Sequence, residues 1–131
     1  MGKINLKGVI VGGLVAGVVL NIVDYVLFGV VLKADLPPMS SNTILWFVFL
    51  DFLYGIFLVW LYAAIRPRFG AGPGTAVKAG LISWVVAGLF HALFEAPMGL
   101  MPQNVMVIGT LVALVQQPLA AVAGAKFYTE M

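Results

Sequence analysis

GVIVGGLVAGVVLNIVDYVLFGVVL, residues 8–32, lies between Lys7 and Lys33 and decides the fold. About 20 apolar residues rising 1.5 Å each cross the hydrocarbon core of a bilayer, so this run predicts a membrane-spanning helix. Lysines before it (Lys3, Lys7) raise the possibility of a signal peptide. The run is too long for one, carries Asn21 and Asp24 inside it, and has no small-x-small cleavage site after it. It is expected to be an uncleaved first span.

Working outward, three more runs have the same character. They cover about 42–65, stopped by Arg66-Pro67-Arg68, then 75–96, stopped by Pro97, and 104–125, ended by Lys126. Open sheets cannot satisfy their backbone in lipid, and the runs are too long and too unalternating for barrel strands. The expected fold class is all-α, an antiparallel four-helix transmembrane bundle in a single domain. Composition agrees: 63% of residues are hydrophobic and 9% charged, against about 25% charged in soluble domains. Mean hydropathy is +1.10. A net charge of +2 supplies no basic stripe for phosphates, so nucleic acid is excluded as a partner. With no cysteine and one histidine, disulfides, thiolate metal sites and a His-rich site within one chain are excluded too.

Basic residues set the expected orientation. Lys3, Lys7, Arg66, Arg68, Lys78 and Lys126 fall on one side, and only Lys33 on the other. Both termini are therefore expected in the cytoplasm. Trp60, Tyr62, Trp84 and Tyr128 are expected near the inner interface, and Trp46 near the outer one.

In lipid, helices associate through small residues and polar contacts. Gly13, Gly17, Asn21 and Asp24 form such a stripe in the first span, and Asp51, Gly55 and Tyr62 one in the second. Ser83, Ala87, His91 and Glu95 step by four along the third. Gly109, Ala113, Gln116 or Gln117, Ala120 and Gly124 mark the fourth. These stripes are expected inward. A weak repeat pairs Val15-Ala16-Gly17-Val18 with Val86-Ala87-Gly88-Leu89, each glycine followed seven residues on by an acid, Asp24 or Glu95.

Asp24, Asp51, His91 and Glu95 all fall in the outer half of their spans. A carboxylate at mid-span costs about 2.5–3.5 kcal/mol on insertion scales, so these residues are candidate ion- or proton-binding groups, with Asn21, Gln116 and Gln117 beside them. Three acids facing one histidine call for a shared proton or a bound cation. Carboxylate with imidazole suits a transition metal, and carboxylate with amide oxygens a hard cation. A haem on His91 would need Met98, Met101 or a partner's residue as second ligand. The plain structural use of the same groups is hydrogen bonding across helices to fix their register. Near Pro118, the two glutamines are also placed to satisfy the carbonyl that the proline frees.

The segment Arg66-Pro67-Arg68-Phe69-Gly70-Ala71-Gly72-Pro73-Gly74-Thr75 is expected to end the second helix at Pro67, reverse on glycines and cap the third helix with Thr75. It lacks Gly-Lys-Ser/Thr and follows no strand, so it is no nucleotide loop. Arg66, Arg68 and Lys78 are candidate contacts to anionic lipid headgroups.

Tyr62-Ala63-Ala64-Ile65-Arg66-Pro67-Arg68-Phe69-Gly70 through Gly80, with Asn21-x-x-Asp24, resembles an uncharacterised family of small four-span bacterial membrane proteins without an assigned activity. The resemblance covers most of the chain and implies the bacterial inner membrane as location. It implies nothing chemical.

Three function classes follow. The first is a non-catalytic subunit or assembly partner of a membrane complex, since no soluble domain, nucleophile or cofactor motif is present; its partners would be other membrane subunits or further copies of itself. The alternative is a small proton- or cation-conducting transporter or channel using the acidic cluster. The second alternative is a membrane enzyme acting on a lipid or quinone, with His91 and Glu95 as acid/base pair. No cofactor is specified by any of these readings.

Overall fold

A computed structural model describes residues 3–129. Five α-helices, α1 (Leu6–Val26), α2 (Ser41–Phe69), α3 (Pro73–Ser83), α4 (Phe90–Glu95) and α5 (Gln103–Ala125), make up four rods. A π-helical turn, Leu27–Val31, prolongs α1, and another, Trp84–Leu89, joins α3 to α4. The rods Leu6–Val31, Ser41–Phe69, Pro73–Met98 and Gln103–Ala125 are each long and apolar enough to cross a membrane. The chain is an all-helical bundle with no strand among the described residues.

Local chemistry sets most rod ends. Asn5 accepts the Gly8 amide at 3.2 Å and Ser40 the Thr43 amide at 3.2 Å, as N-caps do. The second rod does not stop at Pro67 as expected. A proline in the last turn sacrifices only one backbone bond and its φ is already helical, so α2 runs on to Phe69 and ends at Gly70, whose φ is +85°. Thr75 does not cap the next helix either. Pro73 occupies its first turn, and the Thr75 hydroxyl instead donates to the Phe69 carbonyl at 3.2 Å, closing the end of α2.

Around the bundle the order is α1, α2, α3, α5. The closest pairing is α1 with α2, followed by α5 with both α1 and α3. Glycines permit these approaches. A Cβ on Gly13 or Gly17 would run into the Ile56 or Phe52 backbone, one on Gly55 into the first rod, one on Gly12 into Gly124, and one on Gly80 into Pro118. Alanines and a few large side chains (Ala16, Leu20, Leu58, Val59, Ala76, Ala120) fill the buried core. The outward faces, such as Ile22, Leu45, Phe49, Leu111 and Leu119, stay exposed and apolar, the pattern expected where lipid replaces water.

The two ends differ. At the end holding the chain termini, Tyr128 accepts the Asn5 amide at 3.0 Å, and Asn5 Nδ2 donates to the Thr129 carbonyl at 2.8 Å. Arg66 lies over the rings of Tyr62 and Tyr128, 5.7 and 5.3 Å from their centroids. At the far end, Leu27, Leu32 and Val105 join the first and fourth rods. The third rod does not follow them. Among the described residues its last hydrogen bond to another rod is Trp84 Nε1 to the Thr110 carbonyl at 2.8 Å, and beyond the π turn α4 makes almost no contact with the other rods. Trp84 is thus an inter-rod donor within the third rod.

Candidate functional site

Where the third rod departs, all four rods border a polar cavity of about 210 Å3 lined by Leu20, Asp24, Asp51, Tyr54, Ala87, Gln116 and Gln117. Asp24 reaches it from the last turn of α1, beyond the Gly13–Gly17 crossing, and Asp51 from the facing turns of α2. The Asp51 carboxyl is within hydrogen-bonding reach of the Asp24 carboxyl. Gln116, only 7% exposed, donates from Nε2 to Asp24 Oδ1 at 2.8 Å and to the Leu20 carbonyl at 3.1 Å. Neither acid is ion-paired with a basic side chain among the described residues.

Below the carboxyl groups sits a second polar layer. The Tyr54 hydroxyl joins Ser83 Oγ and Gln117 Oε1, the latter at 3.1 Å, linking α2, α3 and α5. Gln117 is 8% exposed, and its amide nitrogen has no protein partner among the described residues. The glutamines therefore spend their amides across the bundle and on the cavity; neither bonds the carbonyl freed by Pro118. Asn21 lies one turn before Asp24 and gives its amide to the Gly17 carbonyl at 3.0 Å and, at the long limit of 3.5 Å, to that of Val48.

The structure does not bring His91 and Glu95 to this site. They pair with each other at 3.0 Å on α4, and the His91 side chain is 66% exposed. The physical reason is the π turn at Trp84–Leu89. One extra residue per turn rotates everything beyond it by about 100° relative to a regular helix. Ser83 stays inward while His91, two steps of four later, does not. The proposed repeat fails in space for the same cause: Gly17 touches α2, whereas a Cβ on Gly88 would meet the Trp84 ring of its own rod. Among the described residues no three His, Cys, Asp or Glu side chains gather as a metal site.

The three basic candidates also separate. Arg66 is half-buried between two tyrosines, with its Nη1 lacking a hydrogen-bond partner among the described residues. Arg68 and Lys78 are exposed, the Lys78 ammonium 5.4 Å from the Phe69 ring centroid. Sequence reasoning missed Tyr54. Its signal was present: it follows Asp51 by three residues, one turn along the same face.

Comparison with family models, with curated proteins and with solved structures finds no match. The class that fold and site define is a helical bundle with four rods of membrane-crossing length and a carboxyl pair inside it.

Proposed function

We propose that this chain is a multi-pass protein of the bacterial inner membrane, both termini cytoplasmic, whose carboxyl pair binds a proton or cation from the periplasmic side. Support for the orientation comes from Lys3, Lys7, Arg66, Arg68, Lys78 and Lys126 lying toward the terminal end, against Lys33 alone at the far end. The location follows the resemblance of residues 62–80 and the Asn21-x-x-Asp24 pattern to small four-span bacterial proteins.

The observation that carries the function is the meeting of Asp24 and Asp51 in one cavity with no basic partner among the described residues. Two carboxylates side by side in a low dielectric repel strongly; a shared proton or a bound cation removes the repulsion. Gln116 fixes one carboxyl, leaving the other to respond to occupancy. Toward the terminal end the backbones touch at Gly12–Gly124, Gly13–Ile56 and Gly80–Pro118, which favours loading from the far end and opposes an open pore. Transfer across the bilayer then needs a rearrangement, and α4, the loosely attached far part of the third rod, is the element free to make it.

Proteoliposomes loaded with a pH-sensitive dye and held under a potassium diffusion potential test this. The chain should acidify them, and Asp51→Asn should not. Equal fluxes from both would refute the reading.

An assembly partner in a membrane complex is the second reading, supported by α4, whose Phe90, Leu93 and Phe94 stand away from the bundle. Co-purification of a stoichiometric membrane protein, lost on Phe94→Ser, would favour it.

A further inference from the structure

The π turn Trp84–Leu89 stands in the middle of the third rod, whereas the one at Leu27–Val31 ends the first. Within it the Phe90 amide bonds back to the Val85 carbonyl, five residues earlier, where an α-helix would use Val86. Such turns are rare, and those that interrupt an α-helix are frequent at functional sites.

What lies beyond the turn is free to move. α4 makes almost no contact with the other rods. Its far end passes through a single 3-10 turn, Ala96–Met98, to Gly99, whose φ is +64°, so the connection offers little resistance to rotation. The near side of the joint is fixed, because Trp84 is bonded to the Thr110 carbonyl of α5.

The faces of α4 show what a rotation would change. Ala92 and Glu95 are its half-buried positions, while His91 and Phe94, each one residue earlier, are exposed. An ionisable side chain turned away from the bundle is the unfavourable arrangement in a membrane. Converting the π turn to α geometry takes the extra residue out of it and turns α4 by about 100° relative to α3. Every inward position then moves back by one residue. His91 takes the place of Ala92, and Phe94 that of Glu95. The carboxyl cavity lies just below, since Ala87, one turn before His91, is part of its wall.

We propose that Trp84–Leu89 is a register switch. With the π turn formed, the third rod leaves the far end of the cavity uncovered; with the turn converted to α-helix, His91 and Phe94 swing inward and cover it. The switch requires no ligand on Asp24 or Asp51, so it is independent of the proton or cation reading.

Amide nitrogen relaxation dispersion on the full chain in detergent micelles tests this, since helix register shifts fall in the microsecond-to-millisecond range that it detects. The amides of residues 84–98 should show exchange, and those of α3 before Ser83 should not. Deleting Val86, which is 65% exposed, removes the extra residue and leaves a regular helix with Ala92 and Glu95 still inward; exchange should vanish. Inserting an alanine after Val86 keeps a π turn and places α4 one residue on, so the covered register becomes the main state. The Phe94 ring, 75% exposed with the π turn formed, should then lose its nuclear Overhauser contacts to detergent chains, and should keep them in the deletion variant. Flat dispersion in the parent, exchange of equal size after the deletion, or a Phe94 ring that keeps its detergent contacts after the insertion would each overturn the proposal. If the deletion variant does not fold, the parent and the insertion variant still decide it.

Discussion

The amide nitrogen of Gln116 lies 2.8 Å from Oδ1 of Asp24, a contact between residues 92 apart in the chain that ties the fourth rod to the first. The same nitrogen holds the Leu20 carbonyl one turn away. This geometry makes Gln116 both a structural tie between the rods and part of the wall of the polar cavity.

Gln116→Leu should therefore lower stability. It removes the two hydrogen bonds that Nε2 gives to the Asp24 carboxyl and the Leu20 carbonyl across the rods, and loss of a buried polar contact costs about 1–3 kcal/mol. Thermal unfolding in mild detergent checks this; an unchanged melting temperature would mean that the Asp24 contact contributes nothing.

Gly13→Leu and Gly55→Leu should be more damaging, because a side chain would stand where two backbones touch. Overpacking costs about 1–3 kcal/mol even where neighbours can shift, and a helix backbone cannot shift far. Gly109→Ala is the control: its added methyl would meet only the tip of Phe28, at 3.9 Å, and should leave stability within about 0.5 kcal/mol of the parent. Comparable losses in all three would refute the assigned crossing points.

His91→Ala should leave flux and stability nearly unchanged. Exposed ion pairs contribute about 0–1 kcal/mol, and this one stands on α4, away from the cavity. A loss of flux comparable to that of Asp51→Asn would restore His91 to the site.

These expectations show what the sequence made legible. The four rods were readable from Gly8–Leu32 and its three counterparts, because length and apolarity alone set membrane-crossing helices. Gly13, Gly17 and Gly55 were readable as contact positions from their four-residue spacing. Asp24 and Asp51, half-buried, were readable as inward polar groups from their depth, and Gln116 and Gln117, buried, from the small-residue stripe of the fourth span. The fate of His91 and Glu95 was not, since a helical wheel drawn through Ser83 and Ala87 assumes regular turns and nothing in Trp84–Leu89 advertises a π turn. Tyr54 escaped because a tyrosine in an apolar span reads as packing until its hydroxyl partners, Ser83 and Gln117, are placed beside it. Arg66 looked like a headgroup contact because its tyrosine partner Tyr128 lies 62 residues further on in the chain.

Topology is checked with reporter fusions. Fusions after Lys33 and within the 98–103 connection should read periplasmic, and those at Arg68 and after Met131 cytoplasmic; Met131 itself lies outside the described residues. A periplasmic C-terminus would turn the carboxyl cavity toward the cytoplasm and reverse the loading side.

The central claim is that Asp24 and Asp51 act as one site, and a double-mutant cycle on proton flux tests it most directly. Groups that act as a unit are non-additive. Asp24→Asn and Asp51→Asn should each abolish the flux of reconstituted protein, and the double variant should lose nothing further, with helical content by circular dichroism unchanged throughout. Two partial losses that multiply in the double variant, or a single variant with parental flux, would contradict the account.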